Sequence, residues 1–146
     1  LKNREVKRIY TALVYGRLDK EKAVIDAPIG RHPINRKKMA VVYKNSKEAI
    51  THYRVLEYYK DYTLIEASLE TGRTHQIRVH MAYIDHPVVG DPVYSNRKNE
   101  FGIDNQLLHA RRLGFYHPRS GEYMEFEAEL PEDFKKIIQL LEKRNR

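Results

Sequence analysis

The feature that most restricts the fold of this chain is a pair of extended runs joined by only two residues. Ala49 to Tyr59 and Tyr62 to Leu69 are rich in β-branched and aromatic side chains, and Lys60-Asp61 between them leaves room for nothing but a hairpin. The second run feeds directly into Glu70-Thr71-Gly72-Arg73-Thr74-His75-Gln76-Ile77-Arg78-Val79-His80, where Gly72 marks a corner. Past that corner Ile77, Met81 and Ile84 fall at i, i+4 and i+7, which predicts a helix over 74–84 with one apolar stripe. Two arginines and two histidines crowd the junction. Backbone N–H groups at a helix start favour anions, so the corner reads as a site. A capped helix with a solvated basic face would satisfy the same spacing.

The remaining segments extend the sheet. A short basic lead-in, Arg4 to Arg8, precedes Ile9 to Tyr15, which reads as a strand ending at Gly16. Ala23 to Ile29 is a second extended piece, broken by Pro28 and Gly30; Met39 to Tyr43 is another, followed by a turn over 44–47. Val88 to Asn105 is irregular and is expected to be a surface loop, and Leu107 to His117 returns as a strand. Tyr123 to Leu130 alternates, with Met124, Phe126, Ala128 and Leu130 on one side and acidic residues on the other, which predicts a half-buried strand. Pro131-Glu132-Asp133 opens a last helix whose buried face is Phe134, Ile137, Ile138 and Leu141. Strands outnumber helices and short turns join several of them, so the expected fold is α+β. It is a largely antiparallel sheet with helices packed on it, in one domain over 1–146 with no linker.

Charge and composition narrow the function. The net charge of +7 and pI near 9.5 favour a polyanion as partner. With no cysteine there are no disulfides or thiolate metal sites, no apolar run approaches a transmembrane span, and a cytoplasmic setting is the default. The seven histidines show no metal-ligand spacing, so no metal is expected. No glycine-rich phosphate loop occurs, so no nucleotide cofactor is expected either. The basic residues cluster instead: Arg31, Arg36, Lys37 and Lys38 in one loop, Arg73 and Arg78 at the corner, Arg111 on a late strand. With Tyr10, Tyr83, Tyr94 and Tyr116 available for stacking, this composition suits unpaired nucleic acid, where phosphates supply affinity and bases stack.

Several segments, in order, then carry a resemblance. They are 7–16 (Lys-Arg-Ile-Tyr-Thr-Ala-Leu-Val-Tyr-Gly), 26–33, Leu69 to Met81, His86 to Tyr94 (His-Pro-Val-Val-Gly-Asp-Pro-Val-Tyr) and 107–110. The chain resembles the carboxy-terminal part of the catalytic domain of RluA-type RNA pseudouridine synthases, which isomerise uridine in ribosomal and transfer RNA. The resemblance implies that Tyr10 stacks on the target uracil and is placed to take a proton from its C5. It implies that Arg78 pairs with a catalytic aspartate and keeps it ionised in a poorly hydrated pocket. Arg73, His75 and Gln76 would contact RNA or position the pocket, and Leu108 and His109 would lie near the base. No cofactor is implied: an aspartate detaches uracil from ribose, the base rotates, and C5 rejoins C1′. The physics agrees, because an aromatic platform lowers the cost of flipping a base, with stacking contributing roughly 1–3 kcal/mol. An oriented arginine suits an ionised, desolvated carboxylate.

The family's nucleophile sits in a His-Arg-Leu-Asp…Thr-Ser-Gly motif before the tyrosine strand, and that motif does not occur here. Arg17-Leu18-Asp19-Lys20 imitates its centre, but Gly16 stands where the histidine belongs and the segment follows Tyr10, so Asp19 reads as a turn residue. The resemblance therefore implies a partial catalytic domain, inactive alone, whose nucleophile lies in an amino-terminal portion outside this sequence. A sheet face exposed by that absence would favour self-association. The alternative is an RNA-binding module without catalysis.

Overall fold

A computed structural model describes residues 7–145. The elements run β1 (Lys7–Tyr15), β2 (Lys22–Asp26), β3 (Ile29–Arg31), β4 (Met39–Val41), β5 (Ser46–Lys47), β6 (Ile50–Tyr58), β7 (Tyr62–Leu69), α1 (Gln76–Tyr83), β8 (Leu108–Tyr116), β9 (Tyr123–Glu127) and α2 (Glu132–Arg144). Six of the strands form one sheet in the order β2-β6-β7-β1-β8-β9, with every pairing antiparallel. The short strands β4-β3-β5 form a second sheet beside it. The α+β class and the hairpin stand as expected: the Tyr59 N–H donates to the Tyr62 carbonyl at 2.8 Å and closes the turn at Lys60-Asp61.

Strand β1 lies inside the sheet and is apolar on both faces, so each face needs its own cover. Ala12 and Val14 join Ile65, Ala67, Tyr53, and the α1 residues Ile77 and Met81. Leu13 and Tyr15 point the other way and join Tyr62, Leu64, and the α2 residues Phe134, Ile137 and Leu141. The period-2 alternation of one strand thus feeds two cores, with one helix on each side. Each large side chain buried this way contributes about 1.5–3 kcal/mol, which fixes the register of the whole sheet. The last helix is as expected, with Ile138 half-buried at the edge of the second cluster.

Five expectations change. The helix after the corner starts at Gln76, because His75 adopts a left-handed conformation (φ 56°) that no helix can contain. Burial of Gln76, Ile77, Arg78, Val79, His80 and Met81 means that α1 is enclosed beyond a single stripe. Val88 and Val89, expected in a surface loop, are fully buried; Val89 donates to the Leu13 carbonyl and Leu107 donates to Val89, stitching the loop to β1. Part of the expected turn at 44–47 pairs with β3 as β5. Finally, β9 is not half-buried: Phe126 is 52% exposed and stacks at 5.8 Å on Phe115. The basic lead-in over 4–6 lies outside the described residues.

Candidate functional site

The corner is held from inside by Gln76, which is 2% exposed. Its Oε1 accepts from the Thr71 hydroxyl (2.8 Å) and the Arg73 N–H (2.9 Å), closing the chain around Gly72. Its Nε2 donates to the Ile50 carbonyl and to the Thr51 hydroxyl, both at 3.0 Å. Thr51 lies 2.7 Å from Nδ1 of His80, whose Nε2 lies 2.8 Å from the Ala27 carbonyl. A carbonyl can only accept, so His80 carries its proton on Nε2 and takes the Thr51 proton at Nδ1. Desolvation lowers the pKa of this fully buried imidazole despite the bond to Ala27, and keeps it neutral. The resemblance implied that Gln76 contacts RNA or positions the pocket; in the structure its polar atoms bond within the fold, and it shapes the corner from within.

Arg78 is the other buried polar residue of α1. Its Nε donates to Asp91 Oδ2 at 2.8 Å and its Nη2 to Asp91 Oδ1 at 2.9 Å, with side-chain exposures of 9% and 0%. Asp91 Oδ1 also accepts the N–H groups of Val93 (2.9 Å) and Tyr94 (3.1 Å). Burial pushes the Asp91 carboxyl up, but the Arg78 hydrogen bonds and these two amides outweigh it and hold the pKa below its ordinary value. The same bonds raise the Arg78 pKa against desolvation. The resemblance implied a catalytic aspartate as the partner of Arg78; among the described residues the carboxylate it meets is Asp91. Asp91 already occupies one edge of the guanidinium, and only Nη1 makes no hydrogen bond among the described residues. Asp91 was quoted only as part of a motif; its spacing to Arg78 carries no signal of contact.

Tyr94 ties this pair to its surroundings. The Arg78 guanidinium lies 5.1 Å from the Tyr94 ring centroid. The Tyr94 hydroxyl accepts the Met39 N–H (3.0 Å) and lies 2.8 Å from Nδ1 of His75. Desolvation and the nearby Arg78 charge lower the His75 pKa, so the ring is neutral and can receive the Tyr94 proton. Arg73 donates from Nε to the Glu48 carbonyl at 2.6 Å. The basic loop divides between two cavities: Arg31 and Arg36 line one of about 580 Å³ with Tyr43 and Lys44. Lys38 lines another of about 520 Å³ with His32, Tyr83 and Tyr94. Lys37 is exposed beside them.

Tyr10 is half-buried on β1 and packs on the core that contains Ile77 and Met81, so it belongs to the face that α1 covers. Leu108 pairs with Ala12 and packs on the same core. His109 pairs with Thr11 and therefore faces the opposite side, where its buried Nε2 makes no hydrogen bond among the described residues. Alternation separates two neighbours that sequence reading had placed together. Arg111 lies where the β1–β8 register shifts, and its Nη1 donates to the Ala128 carbonyl.

These side chains and this sheet define a class. The RNA pseudouridylate synthase model matches residues 1–83, and the chain belongs to that family. Among its relatives, it is 53% identical to the "Uncharacterized RNA pseudouridine synthase YlyB" of Bacillus subtilis (strain 168), over 98% of this chain and 46% of that protein. It is 44% identical to the "Ribosomal large subunit pseudouridine synthase D" of Escherichia coli (strain K12), over 97% of this chain and 46% of that one. The chain thus spans less than half the length of these curated relatives. The solved structure of human RNA Pseudouridylate Synthase Domain Containing 1 superposes with a TM-score of 0.77 at 27% identity, covering 97% of this chain and 67% of that one.

Proposed function

We propose that this chain is the carboxy-terminal portion of the catalytic domain of a cofactor-independent RNA pseudouridine synthase acting in the cytoplasm, with ribosomal RNA as substrate. Tyr10 is the platform on which the flipped uracil stacks, and Arg78 is the cation that keeps the nucleophilic aspartate ionised. That aspartate is supplied from outside this sequence. It attacks C1′ and forms an ester as the bond from N1 to C1′ breaks; the base rotates, C5 bonds to C1′ as the ester bond breaks and releases the aspartate, the C5 proton leaves and N1 gains one. The arginine loops and the cavities beside them bind the RNA around the target. The observation that carries this reading is the locked Arg78. A buried arginine with two nitrogens fixed by Asp91 and a third uncommitted is preorganised to receive a second carboxylate without further ordering cost.

The open face of β8 and β9, with Leu113 and Phe126 exposed, is where the rest of such a protein or a second copy would pack. The test is direct. The chain incubated with unmodified large-subunit ribosomal RNA should bind with an affinity that falls steeply with salt, and should form no pseudouridine. Turnover would refute a nucleophile outside the sequence, and binding insensitive to salt would refute the RNA-facing role.

A further inference from the structure

Arg8 carries no role in the reading above, and its placement is unusual. It stands two residues before Tyr10 on β1, and alternate residues of a strand share a face, so its side chain leaves the sheet on the Tyr10 side. Strand β1 runs past the end of β7 here: Ile9 pairs with Ser68, so Arg8 extends toward the corner that follows Leu69. The guanidinium ends directly against Gly72. A methyl group added at Gly72 would lie 2.3 Å from Arg8 Nη1, 3.1 Å from Cζ and 3.5 Å from Nη2. The glycine of the corner motif is thus the floor over which the Arg8 head group passes.

Electrostatically, this cation is unbalanced. Among the described residues Arg8 forms no ion pair, whereas the other charged groups of the corner are engaged. Glu70 meets His52, Glu66 meets Arg54, and Arg73 donates to the Glu48 carbonyl. A half-buried arginine that meets no carboxylate among the described residues, on the face that carries the stacking platform, is matched by an anion that arrives with the substrate. Its planar fork suits a phosphodiester.

We propose that Arg8, seated on Gly72, binds a backbone phosphate of the nucleotide whose base stacks on Tyr10, and so sets the position of the target along the strand. This rests on the RNA-synthase reading above. Gly72 has an ordinary backbone conformation, since it is absent from the glycines with positive φ, so alanine is tolerated there by the main chain. The far end of the Arg8 side chain is what would have to move.

That makes Gly72→Ala and Arg8→Gln a matched pair. The full chain would be titrated with a single-stranded, uridine-containing oligoribonucleotide over a range of salt concentrations. Arg8→Gln should weaken binding on the order of tenfold, the size of one charge-assisted contact. It should also reduce the slope of log affinity against log salt by about 0.7, the value for one phosphate on a single strand. Arg8→Lys should restore the slope, and Lys136→Gln on α2, across the sheet, should change neither quantity. Gly72→Ala should weaken binding in the parent chain and add nothing in the Arg8→Gln background, with circular dichroism melts of all variants alike. An unchanged slope in Arg8→Gln, while the parent chain binds normally, would overturn this assignment and leave the RNA-synthase reading intact. An equal loss from Gly72→Ala with and without Arg8 would overturn it too. A parent chain with no salt-dependent binding would remove both.

Discussion

The Arg78–Asp91 bridge should dominate the stability of this domain, and Asp91→Asn tests that with almost no change of shape. In the native chain the carboxylate accepts four hydrogen bonds: two from Arg78 and one each from the amides of Val93 and Tyr94. An asparagine oxygen can keep the two amides, but its NH2 group then faces Arg78 Nε, donor against donor. The guanidinium stays buried, at 9% side-chain exposure, without a counter-charge. Breaking a buried pair from one side costs about 3–5 kcal/mol, a large share of the roughly 5–15 kcal/mol that holds a domain together. For a chain of this length each kcal/mol corresponds to about 2–4 °C, so the melting temperature should fall by about 6–20 °C. Urea denaturation followed by far-ultraviolet circular dichroism is the assay, and the midpoint should drop with the slope m unchanged. A loss below about 1 kcal/mol, the range of exposed pairs, would refute the claim that this bridge is desolvated and matters to the fold.

Two further outcomes follow from the corner. The pKa of His80 is lowered in the fold, as is that of His75, so the unfolded chain binds these protons first as pH falls. Their contribution is complete above the unfolded value near 6.5 and is lost as pH falls through the folded values, so thermal melts at pH 7 and pH 5 should differ, and His80→Gln should flatten the difference. Gln76→Ala should cost about 1–3 kcal/mol for each buried group it orphans, and native-state hydrogen exchange should accelerate at the Arg73 amide while the amides of β1 stay protected.

How much of this was legible follows the range of the interactions. The hairpin at Lys60-Asp61, the strand over Ile9 to Tyr15 and the amphipathic α2 are local patterns, and each appears in the structure as read. The small errors have tertiary causes. Val88 and Val89 lie in a segment with loop composition, yet they are buried because the β1 carbonyls beside them need donors. Phe126 shows a core pattern on an edge strand, where it stays exposed among the described residues. For the site, residue types were legible and partners were not. Gln76 and Arg78 look alike in a polar motif, and only packing shows that Gln76 turns inward to Thr51 while Arg78 reaches Asp91, thirteen residues on. His109 and Leu108 part for a simpler reason: strand parity turns neighbouring residues to opposite faces.

The shared arginine changes what the corner can do. Asp91 takes Nε–H and one N–H of Nη2, so both N–H groups of Nη1 and the second N–H of Nη2 make no hydrogen bond among the described residues, and a second carboxylate would meet that other edge of the guanidinium with two parallel hydrogen bonds. Two carboxylates on one guanidinium also leave the site net negative, unless further cations approach. Arg73 and Arg8 are the candidates, since Arg73 commits only its Nε and Arg8 has no ion pair among the described residues. Placing the anionic RNA backbone beside a negative pocket would be unfavourable without them. On the proposed reading, the basic residues Arg8 and Arg73 beside Gly72 are what would let one buried arginine serve fold and chemistry together.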